Sequence, residues 1–182
     1  MKTESVFSVR QAQDWVALRF LRKVIKAFEG DSFFELIITT GEDFLTRRLR
    51  SEKSNVHVYT FVPQLELLRR ASVMITHGGS NSIKECIMMT VPMLIYPRRA
   101  DQPGNSARVV YHGLGLRARI HLESSQGIRR KVLRLLNDPG YRLRLAQMRE
   151  HFIRGSLWIP GIYLRRHSNR DGNRVLPRFL TL

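Results

Sequence analysis

The chain has 182 residues, of which 43% are hydrophobic, so it is long enough for one domain with a sizeable core and too apolar for a disordered chain. Its formal net charge of +16 indicates an anionic partner: a phosphate ligand, an anionic membrane surface or nucleic acid. Nucleic acid is the least favoured, because the basic residues are spread along the chain and do not interleave with aromatic residues. The sequence has no apolar run of about 18 residues and no signal-peptide core, which predicts a cytoplasmic protein.

Strand-like and helix-like segments alternate along the chain. In chain order the pattern predicts a weak strand at 5–9, a helix at 15–28, strands at 34–40 and 56–62, a helix at 65–71, a strand at 73–76, a helix at 80–89, a strand at 93–96, a helix at 102–112, a strand at 116–120 and helices at 124–136 and 141–151. This alternation is typical of an α/β fold, here a Rossmann-like parallel sheet with helices on both faces. Ligands of such sheets bind beyond the carboxyl ends of the strands. The candidate sites are therefore the loops at 61–64, 77–82 and 97–102.

The pattern changes near Arg154. Residues 1–154 are predicted to form the ligand-binding domain. Residues 155–182 show no clean period, and in them arginines recur beside a single acidic residue, Asp171. This segment is predicted to be a basic, poorly ordered tail.

The segment 76–82, with the sequence THGGSNS, joins a predicted strand to a predicted helix. Glycines let a ligand approach the backbone closely, and the start of a helix offers unpaired N–H groups and a partial positive charge. Together these features predict an anion site suited to a diphosphate. The alternative is a glycine-rich turn in which Ser82 caps the helix and Glu85 completes a capping box. That alternative explains neither His77 nor the two glycines, and both interpretations stay open at this point.

Further motifs occur around this loop in one order and spacing. They are FVPQ at 61–64, Glu85, VP at 91–92, Pro97, DQ at 101–102 with Asn105, and GLG at 113–115. With THGGSNS, they resemble the C-terminal domain of the UDP-glycosyltransferase superfamily, which has the GT-B fold, and above all its bacterial macrolide and natural-product members. The resemblance runs from about 5 to 151. It implies the donor-binding half of an enzyme that transfers a hexose from a UDP-sugar co-substrate to a hydroxyl group, with no metal and no further cofactor.

The resemblance also implies a role for each matched position. The uracil base would lie against Phe61, Val62 and Gln64, where Phe61 replaces the tryptophan usual in the family. The diphosphate would be held by His77, Gly79, Ser80, Asn81 and Ser82. Glu85 would accept hydrogen bonds from the ribose, and Asp101 and Gln102 would bind sugar hydroxyls. The structural alternatives are a core strand residue at Phe61 and a helix N-cap at Asp101 and Gln102.

Family members also have an N-terminal domain with the acceptor pocket and a histidine base, and nothing in this sequence matches that domain. No catalytic residue is therefore assigned, and the chain alone is predicted to be inactive. Three hypotheses follow: a fragment of a glycosyltransferase, a donor-binding subunit that pairs with a separate acceptor-binding protein, and a non-enzymatic basic protein bound to nucleic acid or anionic lipid.

Overall fold

The computed structural model describes residues 3–8, 15–49 and 51–155. Its strands are β1 (Thr3–Ser8), β2 (Phe34–Thr39), β3 (Val56–Tyr59), β4 (Ala71–Thr76), β5 (Met93–Ile95) and β6 (Gly115–Arg117). Its helices are α1 (Trp15–Phe28), α2 (Asp43–Arg48), α3 (Gln64–Leu68), α4 (Ser80–Met89), α5 (Gln102–Tyr111), α6 (Ser125–Asn137) and α7 (Gly140–Gly155), with a 3-10 turn at Ile120–Leu122. No helix of the described ranges is long and apolar enough to cross a membrane.

The strands form one sheet in the order β3-β2-β1-β4-β5-β6, and each neighbouring pair is parallel. The direction of strand succession reverses between β1 and β4, which is the topological switch point where such sheets bind ligands. The predicted Rossmann-like fold is confirmed. The loops that follow β4 and β5 both lie at the carboxyl edge beside this point.

Alternating side chains of the central strands build two cores. Val73 and Ile75 of β4 pack on one face with residues of α1 and α6, whereas Met74 packs on the other face with residues of α4, α5 and α7. A fully buried side chain of this size contributes about 1.5–3 kcal/mol to folding. The sheet is therefore anchored on both faces, and its carboxyl edge is a rigid base for the loops.

Some predicted boundaries are wrong, for local reasons. Helix α2 was not predicted, because its six residues carry one buried apolar side chain, Leu45, and are too few to show a period. Strand β3 ends at Tyr59 and β6 at Arg117, earlier than predicted. Ala71 belongs to β4 and not to α3, since it pairs with β1 in the sheet. Residues 9–14 and the predicted tail beyond 155 lie outside the described residues.

Candidate functional site

Gly78 of the loop after β4 is required by its geometry, and Gly79 lies close to the ring of His77. Gly78 has a φ of +84°, and a Cβ atom there would lie 2.7 Å from Cγ2 of the buried Ile95. Gly79 has an ordinary backbone, but a Cβ there would lie 2.8 Å from Nε2 of His77. Gly78 therefore lets the chain turn tightly over β5, and Gly79 leaves room for the imidazole ring. These are the residues that the capping alternative leaves unexplained.

The start of α4 has no side-chain cap. Its N-cap residue is Gly79, and the first helical bond runs from the N–H of Ile83 to the carbonyl of Gly79 at 3.1 Å. The earlier N–H groups of the helix have no partner within it, so they are available to an anion. The capping alternative for Ser82 is wrong: Ser82 lies inside the helix, and Glu85 bonds elsewhere.

The His77 ring is half-buried beside this helix start. Its Nδ1 is buried and has no hydrogen-bond partner among the described residues. Burial lowers the pKa of His77 below its usual value, and the nearby Arg98 lowers it further, whereas Asp101 raises it. The imidazole is therefore neutral at pH 7, and a neutral ring still offers one N–H donor.

A second cluster joins the start of α3 to the next turn of α4. Nε2 of Gln64 donates a short hydrogen bond to Oε2 of Glu85 and lies 3.4 Å from Oγ of Ser82. The residues assigned to the base and to the ribose thus meet, although 21 positions separate Gln64 from Glu85. Phe61 is 71% exposed on the loop beyond β3, so the alternative of a core strand residue is wrong, and Val62 beside it is half-buried.

The Asp101–Gln102 pair is oriented by hydrogen bonds that the sequence did not predict. Asp101 occupies the N-cap position of α5, but its side chain does not cap the helix. Its Oδ2 accepts a 2.6 Å bond from Nδ2 of Asn105, which also lies 3.3 Å from the carbonyl oxygen of Gly78. Oε1 of Gln102 accepts from the backbone N–H groups of Arg98 and Arg99 at 2.9 and 3.2 Å.

Asn105 therefore connects the glycine loop to Asp101. The four-residue spacing from Asp101 to Asn105 at the start of a helix was the available sequence signal for it. Among the residues that the structure describes, no group of three His, Cys, Asp or Glu side chains is arranged to hold a metal ion.

The strand order and the parallel pairing define an α/β domain of the Rossmann type, in which the helix start without a side-chain cap lies at the switch point. Residues 44–151 match the family model UDPGT, the UDP-glucuronosyl and UDP-glucosyl transferases. The chain belongs to this glycosyltransferase family.

Named relatives agree with the family match. Over 131 residues the chain is 30% identical to the oleandomycin glycosyltransferase of Streptomyces antibioticus, a match that covers 71% of this chain and 30% of that protein. It is 31% identical over 137 residues to human UDP-glucuronosyltransferase 2B7, covering 70% of this chain and 26% of that enzyme. The chain thus spans about 30% of the length of the curated relatives that it matches.

Solved structures with the GT-B fold match over a longer part of the chain. The glycosyltransferase of kitacinnamycin superposes with a TM-score of 0.72 at 29% identity, covering 84% of this chain and 40% of that one. The calicheamicin glycosyltransferase CalG4 superposes with a TM-score of 0.77 at 23% identity, covering 84% and 39% of the two chains. The predicted family, with its macrolide-type members, and the predicted fold are both confirmed.

Proposed function

We propose that this chain is the donor-binding half of a UDP-dependent glycosyltransferase and that it binds its UDP-sugar at the carboxyl edge of the sheet. The observation that carries this proposal is the loop at 76–82. Glycine is required at Gly78 by its left-handed backbone and by the buried Ile95, the helix starts without a side-chain cap, and the loop lies at the topological switch point. The family match supports UDP as the nucleotide.

The geometry supports one direction for the ligand along this edge. The exposed ring of Phe61 would stack on the uracil, with Val62 and Gln64 beside it. The carboxylate of Glu85, which already accepts from Gln64, would accept from the ribose hydroxyls.

The rest of the ligand would lie over the loops after β4 and β5. The diphosphate would be held by N–H groups at the start of α4 and by the loop residues His77, Gly79, Ser80, Asn81 and Ser82. Asp101 and Gln102 would bind the sugar hydroxyls, Asp101 through its carboxylate and Gln102 through its amide nitrogen, since its amide oxygen holds the loop backbone.

The reaction needs little covalent chemistry from this half. An acceptor oxygen attacks the anomeric carbon, the bond from that carbon to the diphosphate oxygen breaks, and UDP leaves with the electron pair. The acceptor proton passes to a base, which in this proposal another domain or partner chain supplies. The chain binds the donor and stabilises the negative charge on the departing diphosphate, because its helix start is already oriented towards that charge.

Loss of a loop donor is expected to weaken UDP binding. Changing His77, Asn81 or Ser82 singly to alanine removes a hydrogen bond to a charged oxygen, worth about 1.5–3 kcal/mol, so the dissociation constant for UDP should rise about 10- to 150-fold. Isothermal titration calorimetry of the 182-residue chain measures this directly.

Ser124→Ala is the matched control for Ser82→Ala. Oγ of Ser124 caps α6 by accepting from the N–H of Gly127 at 3.0 Å, so its loss should cost about 1 kcal/mol of stability and leave UDP affinity unchanged. If all three loop variants bind UDP like the unaltered chain, the nucleotide binds elsewhere.

Glu85→Gln is expected to discriminate between two nucleotides. A carboxamide accepts fewer hydrogen bonds than a carboxylate, so the variant should bind UDP at least about tenfold more weakly, whereas affinity for 2′,3′-dideoxy-UDP should change less than about twofold. Its melting temperature should stay near that of the unaltered chain, because the N-cap residue of α4 is Gly79 and Glu85 takes no part in a capping box. Equal losses for both nucleotides would show that Glu85 does not contact the ribose.

The isolated chain is expected to form no glycoside. Transfer requires a bound acceptor and a base within hydrogen-bond reach of its hydroxyl, in addition to the donor. The assay is incubation with radiolabelled UDP-glucose and phenolic, sterol and lipid alcohols, followed by chromatography. Multiple-turnover glycoside formation would contradict the proposal and reveal a base within these 182 residues.

An acceptor-binding domain or protein is the partner that this proposal requires. The two earlier alternatives, a nucleic-acid protein and a protein of anionic membrane surfaces, rest on net charge alone, and the family match does not favour them. Adding a candidate acceptor-binding chain to the assay above would test for a two-subunit enzyme by the appearance of product.

A further inference from the structure

The loop at 76–82 offers hydrogen-bond donors but carries no full charge of its own. Serine and asparagine are neutral, and the lowered pKa of His77 keeps the imidazole neutral at pH 7. Two carboxylates flank the loop, Glu85 from within α4 and Asp101 from the start of α5. A diphosphate placed here would be repelled by both acids, so a nearby cation would strengthen its binding considerably.

Arg98 is a cation that the fold places beside this loop. It follows β5 and lines the same small cavity, of about 20 Å³, as Thr76 and His77. Its charge also reaches the imidazole, since it contributes to the lowered pKa of His77. The guanidinium is therefore close to the loop that would hold the diphosphate.

The backbone that carries Arg98 is held in a defined shape. Oε1 of Gln102 accepts from the N–H groups of both Arg98 and Arg99. Ala100 has a φ of +56°, a left-handed conformation that costs an alanine energy and persists where surrounding contacts enforce it. The loop thus presents Arg98 from a fixed point at the strand end.

We propose that Arg98 binds the donor diphosphate and makes the site selective for nucleoside diphosphates over the nucleoside. This inference rests on the proposed function and goes beyond it by assigning the charge that the loop lacks. The planar guanidinium donates two parallel N–H bonds, which suits phosphate oxygens better than a lysine point charge does. A carboxylate on the donor sugar is the competing anion.

The test compares ligands that differ in phosphate. Uridine, UMP and UDP, together with UDP-glucuronate as the ligand that carries the competing carboxylate, are titrated by calorimetry into the unaltered 182-residue chain, Arg98→Ala, Arg98→Lys and the control Arg117→Ala. Arg117 is exposed at the end of the neighbouring strand, where it pairs in register with Ile95, so its loss removes the same charge one strand away. Melting temperatures verify that each variant is folded, and Arg98→Gln replaces Arg98→Ala if the alanine variant is not.

Arg98→Ala is expected to weaken UDP binding about 10- to 100-fold and uridine binding less than about twofold. Arg98→Lys should lose less UDP affinity than Arg98→Ala does. Arg117→Ala should keep UDP affinity within about twofold. Equal losses for uridine and UDP, an equal effect of Arg117→Ala, or a loss confined to UDP-glucuronate would overturn the assignment. If UDP binds and Arg98→Ala does not change its affinity, this inference alone fails; if the unaltered chain binds no UDP, the proposed function fails as well.

Discussion

Gly78→Ala is expected to destabilise the domain by about 2–5 kcal/mol and to abolish measurable UDP binding. The left-handed backbone at Gly78, with its φ of +84°, costs an alanine about 1–2 kcal/mol. Its Cβ would also lie 2.7 Å from Cγ2 of Ile95, which is completely buried, and overpacking of this kind costs about 1–3 kcal/mol. Relief of that contact would displace the loop from β5 and misalign the donors before α4. Urea unfolding and UDP calorimetry measure the two effects.

Gly30→Ala is a control that separates the cost of the left-handed backbone from the cost of the close contact with Ile95. Gly30 has a similar φ of +76°, but a Cβ there meets no atom within 4 Å. This variant should therefore lose about 1–2 kcal/mol and keep its UDP affinity. If Gly30→Ala and Gly78→Ala are equally destabilised, the close packing of the glycine loop on Ile95 contributes nothing to stability.

Lys131→Met is expected to destabilise the domain by about 2–4 kcal/mol. Nζ of Lys131 lies 2.8 Å from Oε2 of Glu123, whose side chain is 7% exposed. Removal of one partner of a buried pair costs about 3–5 kcal/mol, but less is expected here because Lys131 is partly exposed and another donor remains. That donor is the hydroxyl of Tyr96, 3.0 Å from Oε2; burial and the carboxylate raise the pKa of Tyr96, so the hydroxyl keeps its proton.

An exposed ion pair supplies the control. Arg69 and Glu66 pair at 2.8 Å, and each side chain is more than half exposed, so Arg69→Met should cost at most about 1 kcal/mol. Lys131→Met combined with Glu123→Gln should recover part of the loss, since no unpaired charge is then buried. A Lys131→Met variant as stable as Arg69→Met would show that Glu123 needs no ionic partner.

Signals local in sequence predicted the fold and the position of the candidate site. The β-branched run before His77 and the glycines after it predicted a strand end followed by a helix, and α4 spans the predicted residues 80–89. The alternation of strands and helices was enough to predict a parallel sheet. The motifs from Phe61 to Gln102 predicted the family, and the structure brings these loops together at one edge.

Interactions between residues that are distant in the sequence could not be predicted from it. The bond from Gln64 to Glu85 depends on how the start of α3 meets α4, and Asn105 bonds to Gly78 across 27 positions. The alternative of a cap at Ser82 followed from the capping-box pattern Ser-x-x-Glu, but the N-cap residue of α4 is Gly79. Strand order likewise depends on contacts across the whole chain, so the switch point could be located only in the structure.

Binding of UDP at the loop after β4 can be followed by a UDP titration in amide NMR spectra of the isotopically labelled chain. We expect saturable shifts concentrated in the amides of 77–85, with further shifts at 61–64 and 98–102, and none of these in Gly78→Ala. Saturable shifts confined to another part of the sheet, or a complete absence of shifts at millimolar UDP, would contradict binding at this loop.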